Sequence, residues 1–327
     1  MDRLREVLNR VALLTAALAL AACGATAAAA SATTNRAGVS GARFVGPRVR
    51  IAGRPVALAA TPDRVWVADA TSGTASVIDD SRRERVGSVV KVGGSPYSLR
   101  FAFGRIWAAN FRDDTVVAVD PSTRKIVSSA RVPDRPFGLA DGFGAMWVGG
   151  IARGTVTRLD AATGAAVGEP TVIDGVPHGI AAGALYVWVV DIRDNEVLRI
   201  RPSDGHLVGK PIPVGVLPDA IAIRNGVVWV TNARFSTVVR IDEATGRRLG
   251  RPTRVPARPQ AIAVDETAAW VVSLDGGALS RLDPLTGRVT GPPVLIGTSP
   301  TDVALTGGGV WVVNSKDDDV VRYAPRG

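Results

Sequence analysis

The sequence predicts an all-β fold, a ring of seven four-stranded sheets, from three observations. All seven tryptophans recur at a near-constant interval: Trp66, Trp107, Trp147, Trp188, Trp229, Trp270 and Trp311, spaced 41, 40, 41, 41, 41 and 41 residues apart. A proline stands eleven residues before each one: Pro55, Pro96, Pro136, Pro177, Pro218, Pro259 and Pro300. Thirteen residues after the tryptophan, five of the seven repeats carry aspartate: Asp79, Asp120, Asp160, Asp242 and Asp283. Repeat four has Arg201 there and repeat seven Ala324. Units of about forty residues with four strand-like runs are the signature of propeller blades. The predicted fold class is therefore a seven-bladed β-propeller with four antiparallel strands per blade. The β-branched content and the glycine and proline punctuation exclude helical repeats of similar period.

The elements are taken in chain order. Arg3, Arg5 and Arg10 make the opening positive, and Val11 to Leu20 form an apolar run about half the length of a stable membrane-spanning helix. The run ends in Leu20-Ala21-Ala22-Cys23-Gly24, similar to a lipobox, so residues 1–22 read as a signal peptide and Cys23 as a lipidation site. The alternative is an ordinary cleavable signal with an incidental cysteine. Cys23 is the only cysteine, which leaves the folded part without disulfides or thiolate metal sites. Residues 23–44 are rich in Ala, Ser and Thr and poor in large apolar side chains, as a flexible tether would be.

The propeller is expected over residues 45–327, with repeats near 53–93, 94–132, 133–173, 174–214, 215–255, 256–296 and 297–325. Repeat five shows the four strands well: Ala220–Ile223, Val227–Val230, Val238–Ile241, and a weaker outer one near Thr253–Val255. Turns such as Asp242-Glu-Ala-Thr-Gly246 join the third strand to the fourth, glycine supplying the positive φ of a tight turn. Repeat seven stops before its fourth strand. Arg48-Val-Arg-Ile51, upstream of repeat one, has the pattern of that missing strand. The last blade should thus be closed by this N-terminal strand, pairing with Val320–Tyr323 and removing two sheet edges.

The unit Pro-x-x-(Ile/Leu/Val)…(Val/Ile/Met)-Trp-Val-x-(Asn/Asp) resembles the repeats of YVTN-type propellers and of the virginiamycin B lyase family, from about residue 45 to the end. Pro177-His178-Gly179-Ile180 is especially similar to the latter. The resemblance implies a propeller. For activity it implies a lyase using two histidines, a glutamate and a magnesium ion. Only His178 and His206 exist here, and His206 falls in a turn on the opposite face. The family's Phe-Thr-Glu after tryptophan is replaced by Val-x-Asn or Val-x-Asp.

Positions that repeat identically serve packing, so positions that differ between blades are the candidates for function. The third residue after each proline is always aliphatic, from Leu58 to Val303. Directly after the proline the series runs Val56, Tyr97, Phe137, His178, Asp219, Gln260, Thr301. These should ring one mouth of the central channel, an aromatic sector beside a polar one, as in many small-molecule sites. The competing reading is a rim that varies because nothing constrains it. Arg100 and Asp302 replace small residues of the inner strands, and are expected either to reach into the channel or to form a structural pair. Arg112, Arg193 and Arg234, on loops of the same face, suggest an anion-binding rim partly neutralised by neighbouring acids.

The formal net charge of +9, in an exported protein, points to anionic lipids or cell-wall groups as partners and away from nucleic acid. The sequence thus predicts a monomeric extracytoplasmic scaffold, lipid-anchored to the cell membrane. It would bind an envelope protein or an anionic ligand without a cofactor. The alternative is a magnesium-dependent lyase or a hydrolase centred on His178. No zinc spacing, Walker loop or dinucleotide fingerprint stands in its required context.

Overall fold

A computed structural model describes residues 43–44, 46–132 and 134–324. The leader, Cys23 and all but the end of the expected tether lie outside them. Among the described residues there are seven antiparallel sheets and no helix. In blade five the strands are Pro218–Arg224, Val227–Asn232, Thr237–Asp242 and Thr253–Arg254, in that order from the inside out. The second strand of every blade is almost wholly buried, as Val227–Asn232 shows, because it packs between two neighbouring sheets. The outermost strand is a two-residue pairing in blades three to six, runs six residues in blade two at Ile126–Arg131, and in blade one splits into Glu84–Arg85 and Val90–Lys91.

Antiparallel order fixes two faces. The prolines and the loops between second and third strands lie on one, here the upper face. The turns between first and second strands, and between third and fourth, lie on the lower. Each upper loop ends in a residue of positive φ: Gly73, Asp114, Gly154, Asn195, Ser236, Gly277 and Asp318. In the lower turns an aspartate does the capping. Asp242, for example, accepts hydrogen bonds from the Thr245 amide at 2.8 Å and the Thr245 hydroxyl at 2.6 Å.

The tryptophans join blades. Trp66 packs with Leu99, Ile106 and Val117 of blade two, and Trp107 with Leu139, Met146 and Leu159 of blade three. Trp311 of blade seven reaches Leu58, Val65 and Ile78 of blade one, closing the ring. Each indole is buried, and deleting such a group typically costs about 3–5 kcal/mol. In four successive blades a guanidinium lies over the indole: Arg158 on Trp147, Arg199 on Trp188, Arg240 on Trp229 and Arg281 on Trp270, at 5.4–5.7 Å. Arg158 and Arg240 also donate to Pro202 O and Leu285 O in the turn of the next blade.

The N-terminal closing strand forms, but shifted and in two pieces. Val49–Arg50 pairs with Val320 and Asp319, and the Ile51 amide donates to Asp318 O. Tyr323 and Ala324 are paired instead by Phe44 and Arg43, two residues that the sequence had assigned to the tether. Gly46 at φ 88° and Pro47, which has no amide hydrogen, interrupt the ladder between the pieces. The Phe44 and Tyr323 rings meet edge-on at 5.9 Å.

Asp302 also belongs to this seam. The small residues two after each proline face the next blade: a Cβ on Gly138 would lie 3.0 Å from Ile180 Cγ2, and one on Gly179 would lie 3.2 Å from Ile221 Cγ2. Asp302 occupies the equivalent place and accepts a 2.8 Å hydrogen bond from the Leu58 amide of blade one. Arg100 does not form a direct ion pair with it. Its Nε donates to Asp141 of blade three at 2.6 Å.

Candidate functional site

The residue after each proline sits at a break in pairing. In all seven blades the register between first and second strands shifts just after the proline, leaving the next residue without a partner across the ladder. Such a bulge re-aims a side chain and frees it from the alternation of the sheet. That is the local reason why this position, and not its neighbours, tolerates Val, Tyr, Phe, His, Asp, Gln and Thr.

Freed in this way, four of the seven touch one another in sequence round the upper mouth. Tyr97 and Phe137 ring centroids are 5.8 Å apart, and Phe137 and His178 are 4.4 Å apart. His178 Nδ1 then stands 3.0 Å from Asp219 Oδ1. All four are partly buried. Burial opposes a charge on His178, yet the Asp219 carboxylate beside it outweighs that effect and raises the imidazole above its usual pKa. The arc therefore runs from apolar aromatic faces to a hydrogen-bonded His–Asp pair.

The rest of the series behaves differently. Val56 is buried at the seam. Thr301 is buried too, its hydroxyl donating to Val56 O at 3.2 Å and lying 2.9 Å from the Ser315 hydroxyl. Gln260 is partly buried and its Oε1 has no hydrogen-bond partner. Thr301 is thus part of the closure, whereas Gln260 Oε1 is buried and unpaired.

Three residues that sequence reasoning overlooked extend the arc. Phe111 stands edge-on to Tyr97 at 5.5 Å, Arg54 lies 5.9 Å over the Tyr97 ring, and Arg135 lies 5.6 Å over Phe111. Arg54 Nη2 is buried without a hydrogen-bond partner. The signal was available: arginine directly precedes the proline in repeats one, three and six, at Arg54, Arg135 and Arg258.

Of the loop arginines, Arg112 and Arg234 are exposed and make no ion pair among the described residues. Arg193 does: its Nη2 donates to Asp194 at 2.8 Å and to Asp174 at 3.2 Å, so it is already committed to carboxylates. Asp191, Asp194 and Glu196 in this loop bring carboxylate oxygens within 4.8 Å of one another. Burial, with the Asp194 charge adding to it, pushes the Asp191 carboxyl up. Burial and the charges of Asp191 and Asp194 do the same to Glu196. Asp191 Oδ1 nevertheless accepts the amides of Val176 and Arg193, as Asp69 does for Arg54 and Thr71 in blade one. The cluster is accounted for by turn chemistry and Arg193.

His206 is exposed on the lower face, away from His178, with its amide donating to Asp204. Two histidines are not brought together.

No protein-family model matches the chain, and no curated protein does. Solved structures do. A virginiamycin B lyase from Staphylococcus aureus is similar at TM-score 0.72 and 16% identity, covering 86% of this chain and 99% of its own. A streptogramin B lyase gives 0.73 at 17% identity, over 88% of this chain and 98% of its own. A chain of the mitotic checkpoint complex gives 0.73 at 12% identity, over 93% and 98%. At these identities the likeness is one of fold, and proteins sharing it include both enzymes and members of protein assemblies. The chain is a seven-bladed β-propeller of the architecture found in the virginiamycin B lyases.

Proposed function

We propose that the chain is an extracytoplasmic binding protein, held to the membrane by lipid on Cys23, that receives a ligand or partner segment at its upper mouth. The observation that carries this reading is the contiguous arc Tyr97–Phe137–His178–Asp219, built from the one position that the bulges free from packing. Aromatic faces supply apolar contact, and the His178–Asp219 pair supplies directional polar contact. Apolar walls with a few placed polar groups are the usual composition of small-ligand and peptide sites. A ligand with a flat apolar group flanked by an anionic or hydrogen-bonding group fits this arrangement. The presence of similar propellers in protein assemblies supports a peptide segment as one such ligand.

The test is a thermal-shift and calorimetric screen of envelope-derived peptides and cell-wall fragments, with and without magnesium. A ligand that raises the melting temperature of the wild-type chain, and loses affinity about tenfold or more in Tyr97→Ala and Phe137→Ala, supports the reading. A bound ligand insensitive to both substitutions overturns it.

A second reading, a magnesium-dependent lyase or a hydrolase centred on His178, draws on the His178–Asp219 pair. Turnover of a cyclic depsipeptide that disappears in His178→Ala while binding persists would select it over the first.

A further inference from the structure

The lower face carries a feature that the upper mouth does not explain. In blade five the turn between first and second strands is Asn225-Gly226, with φ of 49° and 72°. This is the residue pair that a two-residue turn with both φ positive prefers. Blades two and three use the same backbone, but with phenylalanine in the asparagine place: Phe103-Gly104 at 52° and 71°, and Phe143-Gly144 at 54° and 69°. A bulky aromatic in the left-handed region is disfavoured, and here it is only partly buried in return. Phe103 is 44% exposed and Phe143 39%, and a Cβ on either following glycine would meet nothing within 4 Å. Local backbone chemistry favours asparagine over phenylalanine at these tips. Strain of this kind is kept where the surface has a use for it.

The surroundings point to the same use. Leu185, in the corresponding turn of blade four, is exposed, and Leu285, at a lower turn of blade six, is 85% exposed. Between these apolar tips the lower turns project Arg82, Arg85, Lys125, Arg247 and Arg288, all exposed, while Arg201 is bonded to Asp204 at 2.7 Å. The aspartates of the same turns are folded back onto their own backbone amides, as Asp120 is onto Ser122 and Thr123. Exposed acids stand among these cations too, at Asp63, Glu84, Glu169, Asp204 and Glu266, and the upper loops carry acids at Asp113, Asp194, Asp317 and Asp318. Finally, the chain enters the described residues on the lower face, where Arg43–Phe44 pairs with Tyr323–Ala324. Residues 1–42 are joined to the propeller there.

We infer that the lower face is a membrane-docking surface, which sets Phe103 and Phe143 into the headgroup region of an anionic bilayer while the arginines and lysine between them meet lipid phosphates. Apolar wedges beside cations are what interfacial binding requires. The inference stands independently of what the upper mouth binds, because no residue is shared between the two.

The experiment compares the full-length wild-type chain with Phe103→Asn/Phe143→Asn, which installs the blade-five turn. Both proteins carry the same amino-terminal segment, so their difference reports the turns alone. Binding is measured to vesicles of phosphatidylglycerol and phosphatidylcholine, and to phosphatidylcholine alone. The double variant should melt a few degrees higher, because the turns are relieved, while its affinity for the anionic vesicles falls on the order of tenfold. Amide exchange on the vesicle-bound wild type should slow at Phe103–Gly104 and Phe143–Gly144 and stay unchanged in the upper loops. Equal binding of both proteins, or protection confined to the upper loops as a protein-facing or ligand-facing surface would give, overturns the inference. A lower melting temperature in the variant does so as well, since the phenylalanines would then be serving the fold.

Discussion

The indole N–H of Trp311 donates to Asp80 across the seam between the last blade and the first, at 2.6 Å. The same carboxylate oxygen accepts Arg322 Nε at 3.0 Å and the Thr306 hydroxyl at 3.1 Å. One residue of blade one thus gathers three donors of blade seven, more than two hundred residues away in the chain.

Asp80→Ala should therefore cost about 2–4 kcal/mol, because it strands a part-buried indole N–H and a part-buried guanidinium at once. Urea unfolding measures the loss. A change below about 0.5 kcal/mol would show that the seam is held by apolar packing alone.

Blade three offers a paired test. Where other blades place Asp, Asn or Ser at the end of the second strand, it has Gly150, and Asp134 from the preceding loop fills the space. Asp134 accepts the Arg153 and Thr155 amides and the Thr155 hydroxyl. A Cβ on Gly150 would lie 2.4 Å from Asp134 Oδ2. Gly150→Asn should destabilise, and adding Asp134→Gly should recover most of the loss, a coupling of at least about 1 kcal/mol in a double-mutant cycle.

His178 gives a pH dependence of definite sign. Its folded pKa is raised above the ordinary 6.5 by Asp219, against the opposing pull of burial. Its contribution to stability is fully present below about 6.5 and is lost as pH rises through the higher folded value. The imidazole resonance of His178, followed by NMR, should titrate above 6.5 and move down in Asp219→Asn.

Asp302 gives a dependence of the same sign from a different cause. Burial pushes its carboxyl up from 3.8 to about 6, with the Leu58 and Val303 amides and the charge of Arg100 pulling back. The folded chain therefore holds a proton that the unfolded chain has released, so stability falls as pH rises from about 4 to about 6. Asp302→Asn, which can still accept from the Leu58 amide but gives up the acceptor to the Val303 amide, should remove that fall while losing one hydrogen bond. Melting curves at pH 4.5 and pH 7 check both.

The blades were legible because their marks are strictly local and recur. Each repeat must supply its own indole, proline and turn, so Trp66 to Trp311 give both the number of sheets and the packing between them. The shifted closing strand was less legible, since Arg48–Ile51 has the right alternation but register depends on where Gly46 and Pro47 break the ladder. In the site, reading what varies after each proline found Tyr97, Phe137, His178 and Asp219, which the structure brings together. It could not tell Thr301 and Val56, absorbed by the seam, from the rest of the series. Phe111 and the stacked arginines depend on contacts between blades, and one repeat read alone does not contain them.

The seam has a temporal meaning too. Arg48 and Asp319, bonded at 2.9 Å, are 271 residues apart, so ribosomal synthesis releases one partner long before the other exists. Until Trp311 and the Asp319–Ala324 strand emerge, Val49–Arg50 has no ladder to join, and blades one to six form an open arc with the Trp311 socket empty. Closing so long a loop makes ring completion the late, slow event of folding. A chain cut short by a single strand at its carboxyl end would be released with both terminal edges unsealed, and quality-control proteases would find it there.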